Sequence, residues 1–304
     1  MVEFNDVNEV IKYYAIKLSE ASSTISTNDH NTGTYKNELA GEMIQETFSI
    51  KNPLKVLCTY KNHRFYLWWL YGEILSELLN LDPPLMYKYK KELFSQHYKL
   101  LEDGRMQYMY GSRWAEFNQF VNVYKKLKSN PNTKRAVISI YTPYDTAPER
   151  NDAPCTTMYQ FIHRDGVLNM AVFYRSWDFF GGFKTYDFGL SSFILQSFCS
   201  WLGMKPGKLC FYVNSLHYYK RDKQLMLDLI SELCDDDSGM AKELSIFNNM
   251  DITTFYEKLR IIKSIEEAAY NKNFTYANFL LKSLSNELFI NMASVFIEKN
   301  IKRE

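Results

Sequence analysis

The segment that decides the fold runs from Ala153 to Asp187 and reads APCTTMYQFIHRDGVLNMAVFYRSWDFFGGFKTYD. Within it, Asp165-Gly166 has the composition of a two-residue hairpin turn, in which glycine takes a positive φ. The flanking runs, Met158–Ile162 and Val167–Tyr174, are rich in aromatic and β-branched residues, which is typical of strands. The sequence therefore predicts a β-hairpin at this point of the chain.

The predicted hairpin has a cysteine at its entry and an arginine at its exit. Cys155 precedes the first strand and Arg175 follows the second, so we expect the two side chains to lie close enough to share a ligand. A thiol beside a guanidinium suits covalent attack on a phosphorylated substrate, because the positive charge favours the thiolate. Lone cysteines are also common as small buried hydrophobic residues, so the pair alone leaves both interpretations open.

Several short motifs, in order along the chain, resemble those of the thymidylate synthase superfamily. They are Asn31-Thr32-Gly33-Thr34, Tyr110-Gly111 with Trp114, the loop and strand Asn130–Thr142, Pro154-Cys155 with Gln160, Arg175-Ser176-Trp177-Asp178, Gly181-Gly182 and His217-Tyr218-Tyr219. The match covers residues 28 to about 222. It implies an α+β fold, in which a large mixed sheet carries helices on one face and dimerises through the other.

Three positions resemble the cytidylate and deoxycytidylate 5-hydroxymethylases more than thymidylate synthase itself. Thr156 follows the cysteine where the synthases have His, and Ser215-Leu216-His217 replaces their Gly-Asp-x-His. Asp187 falls, with one inserted residue, where the synthases have the Asn that reads uracil. An ionised Asp only accepts hydrogen bonds, which suits the 4-amino group of cytosine, whereas an Asn suits uracil.

The resemblance also implies a reaction. Cys155 would attack C6 of a pyrimidine nucleoside monophosphate, CMP or dCMP, and C5 would take a one-carbon unit from 5,10-methylenetetrahydrofolate. Water added to the resulting methylene gives a hydroxymethyl product, whereas hydride gives a methyl product.

The resemblance assigns roles to particular residues and implies no metal site. These roles are catalysis for Cys155, Asp187 and Tyr110, substrate binding for Arg175, Ser176, Lys134, Arg135, His217, Tyr219 and Asn31, and cofactor binding for Asp178. Lys134 and Arg135 would cross a homodimer interface to the phosphate site of the partner subunit, so that each active site is shared.

The chain departs from the family at two positions that matter for the reaction. The family has a Glu that handles proton transfer where this chain has Phe65, and Glu73 and His63 are the nearby candidates to replace it. Asn31 stands where the synthases have Arg, which removes one charge from the phosphate site. The alternatives are therefore a thymidylate-synthase-like C5 methylase of a uracil nucleotide, or a catalytically idle nucleotide-binding homologue. Retention of Cys155, Asp178, Arg175 and His217 together argues against idleness, because a protein without chemistry has no need of the nucleophile.

Composition limits the class of protein. With 304 residues, 46% of them hydrophobic and 16% aromatic, one large domain or a domain with an appendage is expected. The net charge of +1 argues against a nucleic-acid-binding surface. The five cysteines show no C-x-x-C spacing, and no run of about eighteen apolar residues occurs, so we expect a reduced cytoplasmic protein that does not insert into membranes.

Helical periodicity dominates outside the hairpin. Helices are expected over Val7–Ser22, Phe65–Asn80, Tyr87–Leu101, Ala115–Lys128, Phe188–Leu202, Asp222–Cys234, Asp251–Tyr270 and Asn273–Asn300, and further strands over Ala136–Thr142 and Leu209–Val213. Asp187 has a second interpretation as the N-cap of the helix that it precedes. Because the resemblance ends near residue 222, we expect a catalytic domain over 1–222 and a helical extension over 223–304.

Overall fold

The computed structural model describes residues 1–23, 25–27, 37–60, 66–89, 110–147, 153–184, 186–235, 241–244 and 249–302. The strands are β1 Val2–Phe4, β2 Ser26–Thr27, β3 Asn37–Ile50, β4 Lys55–Leu57, β5 Ala136–Ser139, β6 Thr156–Arg164, β7 Val167–Tyr174, β8 Trp177–Asp178, β9 Lys205–Tyr219 and β10 Lys242–Glu243. The helices are α1 Val7–Glu20, α2 Leu67–Leu78, α3 Tyr110–Glu116, α4 Gln119–Ser129, α5 Asp187–Leu202, α6 Lys223–Asp235, α7 Ile252–Tyr270, α8 Phe274–Leu281 and α9 Glu287–Ile301. The predicted turn at Asn31, the side chains of His63 and Phe65, and most of the predicted helix Tyr87–Leu101 lie outside the described residues.

The central sheet mixes parallel and antiparallel pairs. Its strand order is β1-β3-β9-β7-β6-β5, with β2 beside β3 and β8 beside β9. Strands β7 and β8 run parallel to β9, while β3 with β9, β6 with β7 and β5 with β6 are antiparallel. The predicted α+β fold with a large mixed sheet is therefore confirmed.

The hairpin predicted from the sequence forms between β6 and β7. Its turn residues Asp165 and Gly166 both have positive φ, 52° and 79°, as a type I′ turn requires. Arg164 pairs with Val167 across the turn, and the ladder continues to Thr156 and Tyr174. This register brings the residue before β6 and the residue after β7 to the same end of the hairpin.

Helices α1 and α5 cover one face of the sheet, and that face holds the core. Phe188 and Phe198 of α5 pack on the strands, with ring centroids 5.1 Å from Phe211 and 4.3 Å from Phe161. Residues of β7 alternate between buried and partly exposed, so the opposite face is a separate surface. On that face Phe173 stacks on the ring of Tyr212 at 4.6 Å.

Three predicted elements differ most from the structure in their bounds. The single helix predicted over Ala115–Lys128 is two helices, α3 and α4, because Asn118 takes a left-handed φ of 50°. The helix predicted over Asn273–Asn300 is likewise broken, into α8 and α9. The strand expected over Leu209–Val213 extends to the fifteen residues of β9, since its polar residues lie in the same ladder with β3.

The C-terminal helices pack on one another and on the rest of the protein. Helix α7 contacts α8 and α9, α9 also contacts α2, and α6 contacts α1. Among the described residues, no helix is long and apolar enough to cross a membrane. The division of the chain at residue 222 stays a prediction.

Candidate active site

Cys155 and Arg175 lie together at the open end of the hairpin. The backbone N–H of Arg175 donates to the carbonyl of Cys155 at 3.0 Å. The Arg175 guanidinium donates to the two preceding carbonyls, through Nε to Pro154 at 3.0 Å and through Nη2 to Ala153 at 2.6 Å. The arginine therefore fixes the backbone that carries the thiol, which is partly buried. Ser176 follows it as a partly exposed residue between β7 and β8.

Asp187 is oriented by an indole and not by a capping role. It is the first residue of α5; the cap is Tyr186, whose side chain makes no capping hydrogen bond. The Nε1–H of the buried Trp177 donates to Oδ2 of Asp187. A side chain at Gly182 would place its Cβ 2.2 Å from the same oxygen, so only glycine fits there. Burial raises the pKa of Asp187 to about 6, against the Trp177 hydrogen bond, which lowers it.

Tyr110 connects the nucleophile loop to Asp187. Its Oη accepts a hydrogen bond of 3.2 Å from the backbone N–H of Thr156, the residue after the cysteine. Burial raises the pKa of Tyr110 well above its usual range, and the neighbouring Cys155 and Asp187 raise it further. The structure thus brings together the three residues predicted to be catalytic.

Two carboxylic acids of α2 extend this group. Glu73 and Glu77 lie one turn apart, and we call them, with Asp187, the carboxyl cluster. Burial raises the pKa of Glu77 to about 8, although the backbone N–H of Gly111 donates to its Oε2. The pKa of Glu73 is raised well above its usual range by burial first and then by Asp187 and Glu77. Its Oε2 is enclosed and has no hydrogen-bond partner among the described residues. Both pKa shifts favour the protonated form of the acid.

A close backbone contact holds α3 against α2. A Cβ at Gly111 would lie 2.3 Å from the carbonyl oxygen of Glu77, so glycine is required for this approach. The Trp114 indole donates to the same carbonyl at 3.2 Å. These contacts place Tyr110, at the start of α3, beside the carboxyl cluster.

The described start of the loop after β5 is held by a buried ion pair. The guanidinium of Arg113, on α3, donates to both carboxylate oxygens of Asp145, at 2.5 and 2.7 Å. The pKa of Asp145 is held below its usual range by Arg113 and by hydrogen bonds from Thr142, which outweigh the effect of burial. Helix α3 therefore anchors both Tyr110 and the start of the loop before the nucleophile.

His217 and Tyr219 lie side by side on β9. Both are buried, and His217 Nε2 lies 3.2 Å from Tyr219 Oη. Residues two apart on a strand share a face, so the predicted sugar-binding pair is brought together. The Arg221 guanidinium lies over the Tyr219 ring, 4.5 Å from its centroid.

Asp178 fits the role of holding the pterin that the resemblance implies. Its Oδ1 accepts from the backbone N–H of Phe180, and its Oδ2 lies 3.5 Å from Arg221. The side chain keeps 22% exposure, and a Cβ at Gly181 would come within 2.7 Å of Oδ2. A partly exposed carboxylate with a long ion pair and a glycine beside it can accept hydrogen bonds from a ring N–H.

Lys134 and Arg135 do not lie near Cys155 of the same chain. Both are exposed at the start of β5. Ala136, the next residue, pairs with Phe161, which is six residues along β6 from Cys155, or about 20 Å at about 3.4 Å per residue. Asn31 lies outside the described residues.

Sequence reasoning missed Glu77 and named Glu73 only as a candidate. Their signal is two acids at i and i+4 in the otherwise apolar helix LWWLYGEILSEL, where one helix face carries both. Tyr159 and Tyr174 were also missed as site residues. Burial, followed by the charge of Asp187, raises the pKa of each well above its usual range.

Comparison with solved structures places the architecture. The fold is similar to thermostable thymidylate synthase A from Bacillus subtilis, with a TM-score of 0.61 over 82% of this chain and 91% of that chain. The two sequences are 17% identical, so this likeness concerns the fold alone.

Comparison with protein families gives the assignment. The family described as thymidylate synthase matches residues 20–270. The chain therefore belongs to the thymidylate synthase family. The family implies a one-carbon transferase that acts on nucleotides and uses a folate cofactor.

Curated relatives carry two kinds of name. A "Putative thymidylate synthase" of Methanosarcina barkeri is 29% identical over 151 residues, 47% of this chain and 68% of that protein. A "Deoxyuridylate hydroxymethyltransferase" of Bacillus phage SP01 is 36% identical over 109 residues, 34% of this chain and 28% of that protein. A "Thymidylate synthase" of Listeria monocytogenes is 25% identical over 167 residues, 49% of this chain and 52% of that protein. The chain thus spans about half or less of the last two relatives.

Proposed function

We propose that the protein is a folate-dependent 5-hydroxymethylase of CMP or dCMP that works through a covalent bond between Cys155 and C6 of the base. The observation that carries the proposal is the Asp187 carboxyl, which Trp177 holds beside Tyr110 in the neighbourhood of Cys155. A carboxyl at this position can recognise the edge of a cytosine ring while the thiol attacks its C6.

Cys155 serves as the nucleophile, and Arg175 prepares it. The guanidinium donates to the carbonyls of Ala153 and Pro154, so its charge lies beside the backbone that leads into Cys155, and positive charge near a thiol favours the thiolate. The same guanidinium would also bind the substrate phosphate.

Asp187 polarises the base. Attack at C6 pushes electron density toward N3 and the 4-amino group, and a proton on N3 stabilises it. A carboxyl whose pKa is raised to about 6 can donate that proton near neutral pH. It then becomes a carboxylate that accepts two hydrogen bonds, from N3–H and from the amino group. An Asn cannot make this transfer.

The family's proton-transferring Glu is replaced here by Phe65, which cannot transfer a proton. The glutamic acids of the carboxyl cluster take over this proton transfer. Glu73 has an enclosed oxygen without a hydrogen-bond partner among the described residues. It is near enough to Asp187 for the charge of Asp187 to raise its pKa. A protonated acid there can return the proton that Asp187 gives to the base, and a carboxyl can also orient the water needed for a hydroxymethyl product.

The folate cofactor, when bound, supplies the one-carbon unit. Asp178 would hold its pterin through the carboxylate described above, beside Gly181. His217 and Tyr219 would bind the nucleotide sugar.

A homodimer with shared sites explains the position of Lys134 and Arg135. Their distance from Cys155 of the same chain makes them unsuited to its phosphate, while their exposure leaves them available to a partner. The sheet face that carries Phe173 and Tyr212, opposite the helices, would form the interface.

The competing function is one-carbon transfer to a uracil nucleotide. The name of the phage SP01 relative supports a hydroxymethyl product but concerns deoxyuridylate. A protonated Asp187 can donate to the O4 carbonyl of uracil as an Asn does, so the base preference depends on its protonation state.

The exchange Asp187→Asn tests the proposal. The wild-type protein and the variant are incubated with methylenetetrahydrofolate and each of CMP, dCMP, UMP and dUMP, and product masses and kcat/KM are measured. We expect a hydroxymethyl product from a cytosine nucleotide with the wild-type protein. In the variant, the ratio of kcat/KM for cytosine over uracil should fall about ten- to hundredfold, since a mismatched buried hydrogen bond costs about 1–3 kcal/mol.

Other outcomes separate the alternatives. An unchanged ratio would remove the base-reading role of Asp187. A wild-type protein that converts only uracil nucleotides would establish the competing function, and one that binds nucleotides without converting any would establish the idle homologue.

A further inference from the structure

A chain of hydrogen bonds links Glu42 on β3 to the side chains of β9. Ser215 Oγ donates to Glu42 Oε1 at 2.5 Å. Ser215 Oγ also lies 3.1 Å from His217 Nδ1. On the other side of the imidazole, His217 Nε2 lies 3.2 Å from Tyr219 Oη. Strand register supports this alignment, because Glu42 is paired directly with His217 across the β3–β9 ladder.

We propose that Glu42 and Ser215 are positioning residues. They fix which group donates and which accepts in the hydrogen bonds from Glu42 through Ser215 and His217 to Tyr219. A hydroxyl has one proton, and the 2.5 Å contact of Ser215 with a carboxylate has the length of a charge-assisted bond that uses it. The Ser215 oxygen can then only accept from His217 Nδ1–H.

The donor and acceptor roles at His217 also determine the role of Tyr219. In a neutral imidazole with a proton on Nδ1, Nε2 carries none and is an acceptor. Tyr219 therefore donates its O–H to His217, and its Oη presents only lone pairs to a bound ligand. Two other charged groups described at this end of β9 have contacts of their own. Asp178 is engaged by Phe180 N–H and Arg221, and Arg221 lies over the Tyr219 ring.

The consequence is selection of a ligand by its donor. An Oη that offers only lone pairs accepts a hydrogen bond from a hydroxyl but repels an ether, carbonyl or fluorine substituent at the same place. This inference rests on the proposed function for the identity of the ligand, a nucleotide whose sugar hydroxyl donates to Tyr219. The hydrogen-bond directions themselves are a property of the protein alone.

The first test reads the tautomer without any ligand. The full chain is labelled with ¹⁵N-histidine, and long-range ¹H–¹⁵N spectra are recorded at about pH 8, with the His217 signals assigned by their loss in His217→Asn. We expect a protonated Nδ1 and a bare Nε2. Ser215→Ala should abolish this pattern, and Ser215→Thr, which keeps a hydroxyl, should preserve it. A protonated Nε2 in the wild-type protein, or an unchanged pattern in Ser215→Ala, would overturn the proposal.

The second test reads the selection. Affinities for CMP, dCMP and analogues with each sugar hydroxyl in turn replaced by fluorine are measured by calorimetry. One replacement should weaken wild-type binding about tenfold or more, equivalent to about 1.4 kcal/mol. In Ser215→Ala the same replacement should cost about threefold or less, because Tyr219 is then released to donate. Equal wild-type affinity for hydroxyl and fluorine at all positions would overturn the selection. Failure to bind any nucleotide, with the expected tautomer present, would support the relay and overturn the function proposed above.

Discussion

Replacing Glu77 by glutamine should change how the stability of the protein depends on pH. Glu77 is buried on α2, its pKa is raised from 4.5 to about 8, and burial is the main cause. Glutamine has almost the same shape, is neutral at every pH, and its amide oxygen can still accept from Gly111 N–H. The exchange therefore removes the titration and keeps the contact.

The sign follows from the protons bound in each state. Between about pH 4.5 and about pH 8 the unfolded chain has lost the Glu77 proton while the folded protein keeps it. The free energy of unfolding consequently falls as pH rises through this window. A pKa shift from 4.5 to about 8, at about 1.4 kcal/mol per pKa unit, gives an upper bound of about 5 kcal/mol for this loss of unfolding free energy. Glu77→Gln should be about as stable as the wild-type protein near pH 4.5 and more stable near pH 8.

Urea unfolding, followed by far-UV circular dichroism at several pH values, measures this difference. Glu116→Gln on the neighbouring α3 is the matched control, because Glu116 is exposed and its exchange should leave the pH dependence as in the wild-type protein. If the Glu77→Gln and wild-type stabilities run parallel from about pH 4.5 to about pH 8, Glu77 does not hold a proton in the folded protein.

Four further exchanges probe the reaction itself. Cys155→Ser should abolish turnover while nucleotide affinity, measured by calorimetry, stays within about threefold, since a serine alkoxide is much harder to form; retained turnover would exclude the covalent mechanism. Glu73→Gln should lower kcat about 10²- to 10⁴-fold with little change in nucleotide affinity, as expected for a proton-transfer group, and an unchanged kcat would remove Glu73 from the proton path. Lys134→Ala and Arg135→Ala should each weaken phosphate binding. A mixture of inactive Cys155→Ser and Arg135→Ala subunits should regain part of the activity through hybrid sites, and no recovery after confirmed subunit exchange would argue against shared sites.

Local sequence signals predicted the part of the site that lies on one hairpin. The turn at Asp165-Gly166 sets the register of β6 and β7, and that register alone brings Cys155 beside Arg175. The end of α5 was equally readable, because Gly203 takes the left-handed φ of 66° that glycine favours.

Local sequence signals could not predict the carboxyl cluster. Its members come from α2 and α5, which are separated by more than a hundred residues, and helical periodicity states only that Glu73 and Glu77 share a face. What that face meets depends on the packing of α2 against α3 and α5. The capping alternative for Asp187 was decided only by the three-dimensional structure, since an Asp before a helix fits a capping role and a buried substrate-binding role equally well.

Helices α7, α8 and α9 influence the site through α2. Helix α2 is apolar on nearly all sides, and such a helix is stable only when it is covered all round. Helix α9 packs against it, with the Lys299 ammonium 4.7 Å from the centroid of the Trp68 ring.

A buried polar network fixes these helices to the segment that follows α2. Glu266 of α7 is fully buried and binds Lys88 at 3.0 Å and Tyr89 at 2.7 Å, and Asn300 of α9 donates to Tyr89 at 2.8 Å. Breaking such a network leaves a buried carboxylate unpaired, so the contact resists separation. Because burial is the first cause of the raised pKa of Glu77, helices that keep α2 buried also help to keep this pKa raised. The C-terminal helices thereby contribute to the electrostatics of the site through the helix that carries Glu73 and Glu77.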